Sequence, residues 1–586
     1  MSDTAAPSVA ASQAGGDKGS GAAASIAPMH GRLARMLWYR QLDHYPDTGR
    51  RIGFLAIVVA ATIILYYQLY VAGAVAPQIL AQYGMSFRFY VDISVFSNAI
   101  GAFSSVLAGL ADRWGRANMV AYGLGITALL VLFGVPNAPN KWAFLILVVA
   151  VGFVEGIILV ATPALVRDFS PQLGRASAMG FWTLGPVVGS LVVSIVASTT
   201  LSHLVAWQDQ FTICGIVGVG VFLIAVLGLR ELAPGIRDQL MVSMRDRALI
   251  EARAKGIDIE DSLRHPWRQM LKLDIIVSAL AISVFLIIYY TAVGFNPIYF
   301  ETIFRFTPSQ ANGLGNWLWA FDAGALVIVG LLSDWLKVRK PFMIVGAVGA
   351  AVMTIIYLGK ATDPHTGYYE FVLILSLLAA FMGIAYAPWM ASFTETVERR
   401  NPALIATGLA VWGWLLRIVV AVSVFVLPYV VSSTTPLVQY GAIGQKAEAI
   451  IKSDPNVSIV LAHPAIFTEL AKYPKNAIPP ALLSKAVAEV GIKDLTAVAS
   501  DPKITSEIGF LQAHAKELAQ VQTAAKVTPG QWQNWYWVCV GGELVFLPLV
   551  LVMAGRWSPS KAREDLEEHE RMVAAEMAKL AGGAGA

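Results

Sequence analysis

Charged residues are scarce in this chain of 586 residues: Asp, Glu, Lys and Arg make up only 14% of it, whereas 56% is hydrophobic. A soluble domain carries roughly a quarter charged residues, and a globule in water cannot enclose this much apolar surface. The composition therefore excludes a water-soluble protein and indicates an integral membrane protein. The small net charge of +4 points to no particular partner, and we expect no nucleic acid to bind.

Several other features are missing. The two cysteines, Cys214 and Cys539, lie in apolar segments, so no disulfide framework is predicted. There is no Gly-x4-Gly-Lys-Ser/Thr loop, no Cys/His cluster with metal spacing and no Gly-x-Ser-x-Gly elbow. We therefore expect neither an ATP-driven pump nor an enzyme, and no cofactor or metal. Residues 1–28 lack the apolar core of a signal peptide and are interpreted as a disordered tail.

What the chain has instead is long apolar runs. Twelve of them are long enough to cross a hydrocarbon core of about 30 Å, which takes ~20 helical residues, and too long for barrel strands. The first six lie near 52–80, 89–110, 117–135, 142–166, 177–198 and 211–229. The second six lie near 275–298, 311–333, 341–358, 371–393, 403–428 and 535–555. An all-α membrane protein with twelve transmembrane helices is predicted.

Lys and Arg in the short loops predict its orientation. If both termini are cytoplasmic, the inside loops carry nine basic residues and the outside loops four. We therefore predict a multi-pass protein of the cell (plasma or inner) membrane with both termini inside. The predicted regions are a tail (1–50), a first bundle (51–229), a central loop (230–273), spans 7–11 (274–431), an outer insert (432–532), span 12 (533–556) and a tail (557–586).

The insert between spans 11 and 12 is rich in lysine and acidic residues but has no arginine. Its stretches "KAEAIIKSD" and "GFLQAHAKELAQVQ" are typical of short amphipathic helices. It could cap an exit, bind a partner or have no function of its own.

Landmarks recur in the same order in the two halves. They are Pro77, Gly109, Gly156 and Asp168 in the first half and Pro297, Gly330, Gly383 and Glu395 in the second. The first two of each set are 32 and 33 positions apart, and the last two are 12 apart in both halves. The chain is therefore a duplicated six-helix unit, and parallel repeats of this kind are a transporter architecture with the substrate held between the halves.

One segment of the first half, "GLADRWGR", resembles the loop 2–3 signature of the major facilitator superfamily. "GLLSDWLKVRK" resembles its degenerate second-half copy, and "RDFSPQLGRASAMG" resembles the span 4–5 loop of that family. The resemblance implies two six-helix bundles that alternate between outward-open and inward-open states. It also implies a conformational latch on the cytoplasmic side, formed by Gly109, Asp112, Arg113, Gly115, Arg116, Asp334 and Arg339.

Ionisable side chains inside the predicted spans are costly and are candidates for function. They are Asp92, Glu155, Asp322, Arg417 and Glu543. Glu155 lies ~20 Å from the cytoplasmic end of span 4, and in the family it resembles that span lines the central cavity. We predict proton coupling by Glu155 and Asp322. For Glu543 we expect a structural role. Asp92 is close to the outer end of span 2 and can reach water, so we do not expect it to carry protons.

Arg417 is also near mid-membrane, where a guanidinium cannot lose its charge. It either binds an anionic substrate or pairs with an acid on another helix, Asp322 being the obvious partner. Amphipathic residues of spans 1, 7 and 11 are predicted to complete the substrate site, because few polar groups on apolar walls are usual there. They are Tyr66, Tyr67, Gln68, Tyr289, Tyr290, Asn296 and Trp412.

Three functions stay open. The first is proton symport of a small organic solute, with an organic anion slightly favoured by Arg417 and the proton gradient as the energy source. The second is proton antiport of drugs or toxic metabolites, because "LGPVVGS" partly resembles an exporter motif, although Phe181 and Ser190 depart from it. The third is a transporter-like receptor. We expect a monomer in the lipid bilayer.

Overall fold

The computed structural model describes residues 37–104, 114–169, 175–233, 266–363, 365–400, 405–474, 477–553 and 555–561, with seven further residues between 563 and 575. Three residues of the predicted latch, Gly109, Asp112 and Arg113, lie outside the described residues. So do the predicted disordered tail and most of the central loop.

The first half is a bundle of helices with one short strand at each end. After β1 (Gln41–Leu42) come α1 (Thr48–Ala74), α2 (Ala76–Tyr83), α3 (Phe87–Ser104) and α4 (Arg116–Leu129). A π turn (Leu130–Gly134) and a 3-10 turn (Val135–Asn137) extend α4. Then follow α5 (Lys141–Phe169), α6 (Arg175–Thr200), α7 (Trp207–Gly228) and β2 (Glu231–Leu232).

The second half repeats this plan and carries the insert. It contains α8 (Pro266–Met270), α9 (Leu273–Phe285), α10 (Ile287–Ile303), α11 (Pro308–Leu336), α12 (Lys340–Lys360), α13 (Tyr368–Arg400) and α14 (Ile405–Val430). The insert is α15 (Thr434–Gln439), α16 (Gly441–Ser453), α17 (Pro455–Ala462), α18 (Pro464–Leu470), α19 (Pro480–Val490), α20 (Ile492–Ser500) and α21 (Ile504–Ala513). The last helix, α22, runs from the insert into the bundle as Ala515–Leu549.

Nine helical segments of the described chain are long and apolar enough to cross a membrane. The other three predicted spans fall on α3, α6 and α22. The described part of α3 stops at Ser104, the apolar stretch of α6 is only Leu184–Thr200, and α22 begins in the polar insert. The membrane protein is therefore confirmed, while the count of twelve spans and their orientation stay predictions.

Local sequence explains where several helices begin and end. Asp47 caps α1 by accepting from the amide of Arg50. Thr307 and Gln310 form a reciprocal capping box before α11, with Pro308 at its first position. Gly84 ends α2 in the left-handed conformation that glycine adopts without strain.

One end of the first bundle carries Gly115 and Arg116 of the predicted latch, and we call it the motif end. There, contacts join segments that are far apart in sequence. Strands β1 and β2 pair in parallel, a small departure from the predicted all-α fold. The buried Arg40 side chain donates to Asn118 Oδ1 at 2.7 Å and to the carbonyl of Ala225 at 2.9 Å. A carboxylate oxygen of Glu231 accepts from the amide of Arg116 at 2.6 Å, where the helix dipole of α4 favours an anion.

The duplication predicted from spacing is visible in two corresponding ion pairs. Arg116 contacts Asp168 at 2.8 Å and joins the start of α4 to the end of α5. In the second half, Arg339 contacts Glu395 at 3.0 Å and joins the start of α12 to α13. Arg339 also contacts Asp334 at 2.7 Å. These pairs bind helices of the same half together.

A substitution at Gly115 tests the packing of Glu231 against the start of α4. The φ of Gly115 is +92°, and a Cβ there would lie 2.5 Å from Glu231 Oε1. We expect Gly115→Ala to lower the unfolding temperature, since such backbone strain costs ~1–3 kcal/mol. Thermal unfolding of the detergent-purified protein measures this, with Gly220→Ala as the control because nothing lies within 4 Å of its added Cβ. An equal melting temperature for both variants would contradict the assignment.

Candidate functional site

A cavity of about 830 Å³ lies between the two halves. It is bounded by α1, α3 and α5 from the first half and by α9, α10 and α14 from the second. Most of its wall is apolar or aromatic, and its charged side chains among the described lining residues are Glu155 and Arg417. The cavity extends to Leu271, just before α9, which is the motif end of the bundle.

Glu155 reaches the cavity wall because small residues let α5 approach α3 closely. A Cβ on Gly101 would lie 2.9 Å from the carbonyl oxygen of Gly152, and one on Gly152 would lie 2.9 Å from the carbonyl oxygen of Ser97. Such close backbone packing is what small residues permit in membrane bundles. It holds the Glu155 side chain in place, with only 5% of the residue exposed.

Arg417 lines the same cavity from the other half. The Glu155 and Arg417 side chains are close enough to interact electrostatically. The phenol of Tyr66 is close enough to interact electrostatically with both Glu155 and Arg417. The phenol of Tyr290 is close enough to interact with Arg417. Thus an acid of the first half, a cation of the second and a tyrosine from each share one cavity.

Trp412 completes the aromatic part of the wall. It packs against Trp389 with ring centroids 5.5 Å apart, while its indole N–H is buried without a hydrogen-bond partner among the described residues. Tyr66 and Tyr70 are one helical turn apart on α1, with centroids 5.6 Å apart. Flat rings and few polar anchors suit a solute with an apolar body.

Asp322 lines a second, smaller cavity of about 120 Å³ beside the first. Tyr66, Tyr290 and Trp412 line both cavities, whereas Tyr289 joins Asp322 in the smaller one only. A pairing of Asp322 with Arg417, one of the two alternatives left open above, is not among the ion pairs of the described residues. Asp322 lies against Gly383 and Tyr289, whereas Arg417 lines the larger cavity with Glu155.

Four of the predicted wall residues do not line the main cavity, and one of them is Tyr289, which lines the smaller cavity with Asp322. Asn296 lines two small cavities of about 20 and 30 Å³ beside Trp319. Gln68 accepts a hydrogen bond from Thr127 at 2.6 Å inside the first bundle. Tyr67 is buried there against Cys214. Successive helical residues are turned by about 100°, so Tyr66 and Tyr70 share the cavity face and the two residues after Tyr66 do not.

Glu543 is fully buried and accepts a hydrogen bond from Thr354 at 2.8 Å, which joins α22 to α12. The structural role of Glu543 stays a prediction. The two cysteines are free and buried.

At the end of the bundle opposite the motifs, polar contacts cross between the halves. Asn312 Nδ2 donates to the carbonyl of Ala74 at 2.9 Å, and Asn316 Nδ2 donates to Ser198 Oγ at 2.9 Å. Gln78 Nε2 donates to Glu301 Oε2 at 3.2 Å. Helix α15 of the insert adds two contacts, in which Gln439 donates to the carbonyl of Met85 and Thr435 accepts from the amide of Phe87. We call this set of contacts the gate.

Sequence reasoning missed Glu301 because the predicted span 7 ended at 298, whereas α10 continues to Ile303. The apolar run stops before the helix does. The sequence "NPIYFETI" would have placed Glu301 on the helix only under the assumption that the helix continues past Pro297.

Comparison with known proteins identifies the family. Residues 58–439 match the model of the Major Facilitator Superfamily. The chain is 26% identical over 299 residues to "Probable anion transporter 3, chloroplastic" of Arabidopsis thaliana, covering 47% of this chain and 55% of that one. It is 23% identical over 284 residues to "Sugar phosphate exchanger 3" of Gallus gallus, covering 44% and 56%. The chain thus spans little more than half the length of these relatives.

A solved structure shares the fold. It is a bacterial homolog of the human lysosomal transporter Spinster in an inward-facing and occupied conformation, with a TM-score of 0.56 and 15% identity over 88% of this chain and 100% of that one. The resemblance stated from "GLADRWGR" is confirmed, and the chain belongs to the major facilitator superfamily of multi-pass membrane transporters.

Proposed function

We propose that this transporter moves a small organic anion together with a proton, by alternating access of the cavity between its halves. The observation that carries the proposal is the placement of Glu155 and Arg417, from opposite halves, in one cavity. The proposed setting is the cell membrane, with both termini inside, import as the direction and a monomer as the working unit.

Arg417 supplies the affinity for an anion. Its guanidinium stays charged under all physiological conditions and offers paired donors that match a carboxylate or phosphate. The names of the relatives, anion transporter and sugar phosphate exchanger, support an anionic solute. The apolar and aromatic wall favours a solute whose charge is confined to one end.

Coupling follows from conserving the charge of the cavity. Without solute, an ionised Glu155 balances Arg417. When an anion occupies Arg417, Glu155 must take up a proton if the cavity is to remain neutral, because uncompensated charge in an apolar site is costly. Both the empty and the loaded cavity then carry no net charge. In either condition the transporter can switch between its outward-open and inward-open states.

Asp322 is proposed as a second proton site. It is 6% exposed and lines the smaller cavity, which shares Tyr66 and Tyr290 with the main one. In this proposal a proton passes between the two carboxyls without crossing the gate.

The direct test uses proteoliposomes holding the protein, with internal pH recorded while carboxylates, sugars and lipophilic cations are added. We expect proton entry with carboxylates and none with sugars. Proton release driven by lipophilic cations would contradict import and indicate an exporter.

Arg417 is predicted to set solute affinity. We expect Arg417→Ala to raise the KM for a carboxylate by ~10- to 100-fold, because hydrogen bonds to a charged group are worth ~1.5–3 kcal/mol. Arg417→Lys is expected to recover part of this, since the charge returns without the paired donors. Uptake of labelled carboxylate measures both, and an unchanged KM in Arg417→Ala would overturn the assignment.

Glu155 is predicted to be needed for coupling but not for exchange. Glu155→Gln mimics the protonated acid, so the loaded cavity can still change sides while the empty one cannot. We expect the variant to exchange internal for external carboxylate and to fail in proton-driven accumulation. Accumulation at the normal level in Glu155→Gln would show that another group carries the proton.

Tyr66 and Tyr67 provide a matched pair of neighbouring residues. The Tyr66→Phe variant removes a hydroxyl in range of both charges, and we expect a severalfold rise in KM. The Tyr67 hydroxyl is buried without a partner among the described residues, so Tyr67→Phe is expected to leave KM unchanged. Equal effects of the two variants would contradict the cavity wall described here.

A further inference from the structure

The Gln78–Glu301 contact in the gate leaves two buried oxygen atoms without a hydrogen-bond partner among the described residues. Gln78 lies on α2 of the first half and Glu301 near the end of α10 in the second, so their hydrogen bond of 3.2 Å crosses between the halves. The remaining oxygens, Gln78 Oε1 and Glu301 Oε1, are both enclosed and have no hydrogen-bond partner among the described residues.

Two bare oxygens cannot bond to each other, because an amide oxygen and an ionised carboxylate are both acceptors. A proton on Glu301 changes this. A carboxylic acid donates from one oxygen and accepts at the other, whereas a primary amide accepts at its oxygen and donates from its nitrogen. The protonated acid and the amide can therefore form two hydrogen bonds in a closed ring. Leaving a buried acceptor unpaired costs ~1–3 kcal/mol.

Among the described residues, no lysine or arginine forms an ion pair with Glu301, and its carboxylate accepts a hydrogen bond from Gln78. The charged or titratable groups of the elements packed around α10 have other neighbours. Asp322 of α11 lies by Tyr289, Arg417 of α14 by Glu155, Glu543 of α22 by Thr354, Tyr83 of α2 by Ala138, and Arg305 of the following loop by Glu448.

We propose that Glu301 takes up a proton when the gate closes and that the resulting acid–amide pair with Gln78 holds the gate shut. The proton comes from the medium on the gate side while the gate is open. A higher proton concentration on that side therefore favours closure. This proton is distinct from the one carried with the solute, and the proposal does not depend on what the solute is.

The consequence for transport is directional. When protons are abundant on the gate side, protonation of Glu301 closes the gate. The cavity then opens to the opposite side of the membrane. At high pH on the gate side, an ionised Glu301 and the bare oxygen of Gln78 oppose closure. Glu301 is thus a positioning residue that acts on the conformational step, and it is not among the described residues that line the main cavity.

The test measures the gate itself. Spin labels are attached through Val205→Cys and Tyr369→Cys, which are 77% and 80% exposed and belong to opposite halves at the gate end. The background carries Cys214→Ala and Cys539→Ala, and the protein is in lipid nanodiscs without solute. Distance distributions are recorded from pH 5 to pH 9. We expect the closed-to-open ratio to fall by about tenfold as the pH rises.

Two variants at the contact assign this change to Glu301. Glu301→Gln can form the double amide pair at every pH, so we expect its ratio to stay near the low-pH value. Gln78→Leu removes the partner, and we expect the open population to rise at every pH.

Glu543→Gln is the control, because it removes a buried carboxyl that lies outside both the main cavity and the gate. We expect this variant to keep the pH response. The proposal is overturned if the unmodified gate does not respond to pH, if Glu301→Gln responds like the unmodified gate, or if Glu543→Gln abolishes the response. Failure of carboxylate uptake would overturn the proposed function and leave this result untouched.

Discussion

A charge inside an apolar helix bundle must be balanced, and this requirement organises the cavity of the transporter. The guanidinium of Arg417 cannot lose its positive charge. A negatively charged group must therefore balance it in every state of the proposed cycle. Glu155 is placed to do so from the opposite half, at the point where Gly152 and Gly101 bring α5 and α3 together. Because the two charges belong to different halves, whatever changes their balance also changes how the halves attract each other. In the proposed mechanism, solute binding and the movement of the halves are coupled through this balance.

The two ends of the bundle use different interactions. At the motif end, ion pairs such as Arg116–Asp168 and Arg339–Glu395 join helices of the same half. At the gate, hydrogen bonds such as that from Asn312 to Ala74 cross between halves. Within a half, strong contacts preserve each bundle as a unit. Across the halves, contacts of modest energy can break and form again during each cycle, and helix α15 of the insert adds to them.

Much of this architecture could be predicted from sequence, and the part that could not has physical reasons. Run length predicted the helices, and matched spacing predicted the duplication that the two corresponding ion pairs make visible. Helix rotation could not be predicted for span 1, because a membrane helix is apolar on all sides. Tyr67 and Gln68 therefore looked equivalent to Tyr66. Glu301 lay past the apolar run, and the contacts of Arg40 and Glu231 join segments too distant in sequence for any local pattern to reveal.

The central claim is that solute binding and protonation of the cavity are one event, and calorimetry of the purified protein tests it most directly. Binding of a carboxylate is measured at one pH in several buffers that differ in ionisation enthalpy, which yields the number of protons taken up per solute bound. The account predicts uptake of about one proton per monoanion, since the anion displaces Glu155 as the partner of Arg417. Carboxylate binding without proton uptake would contradict it.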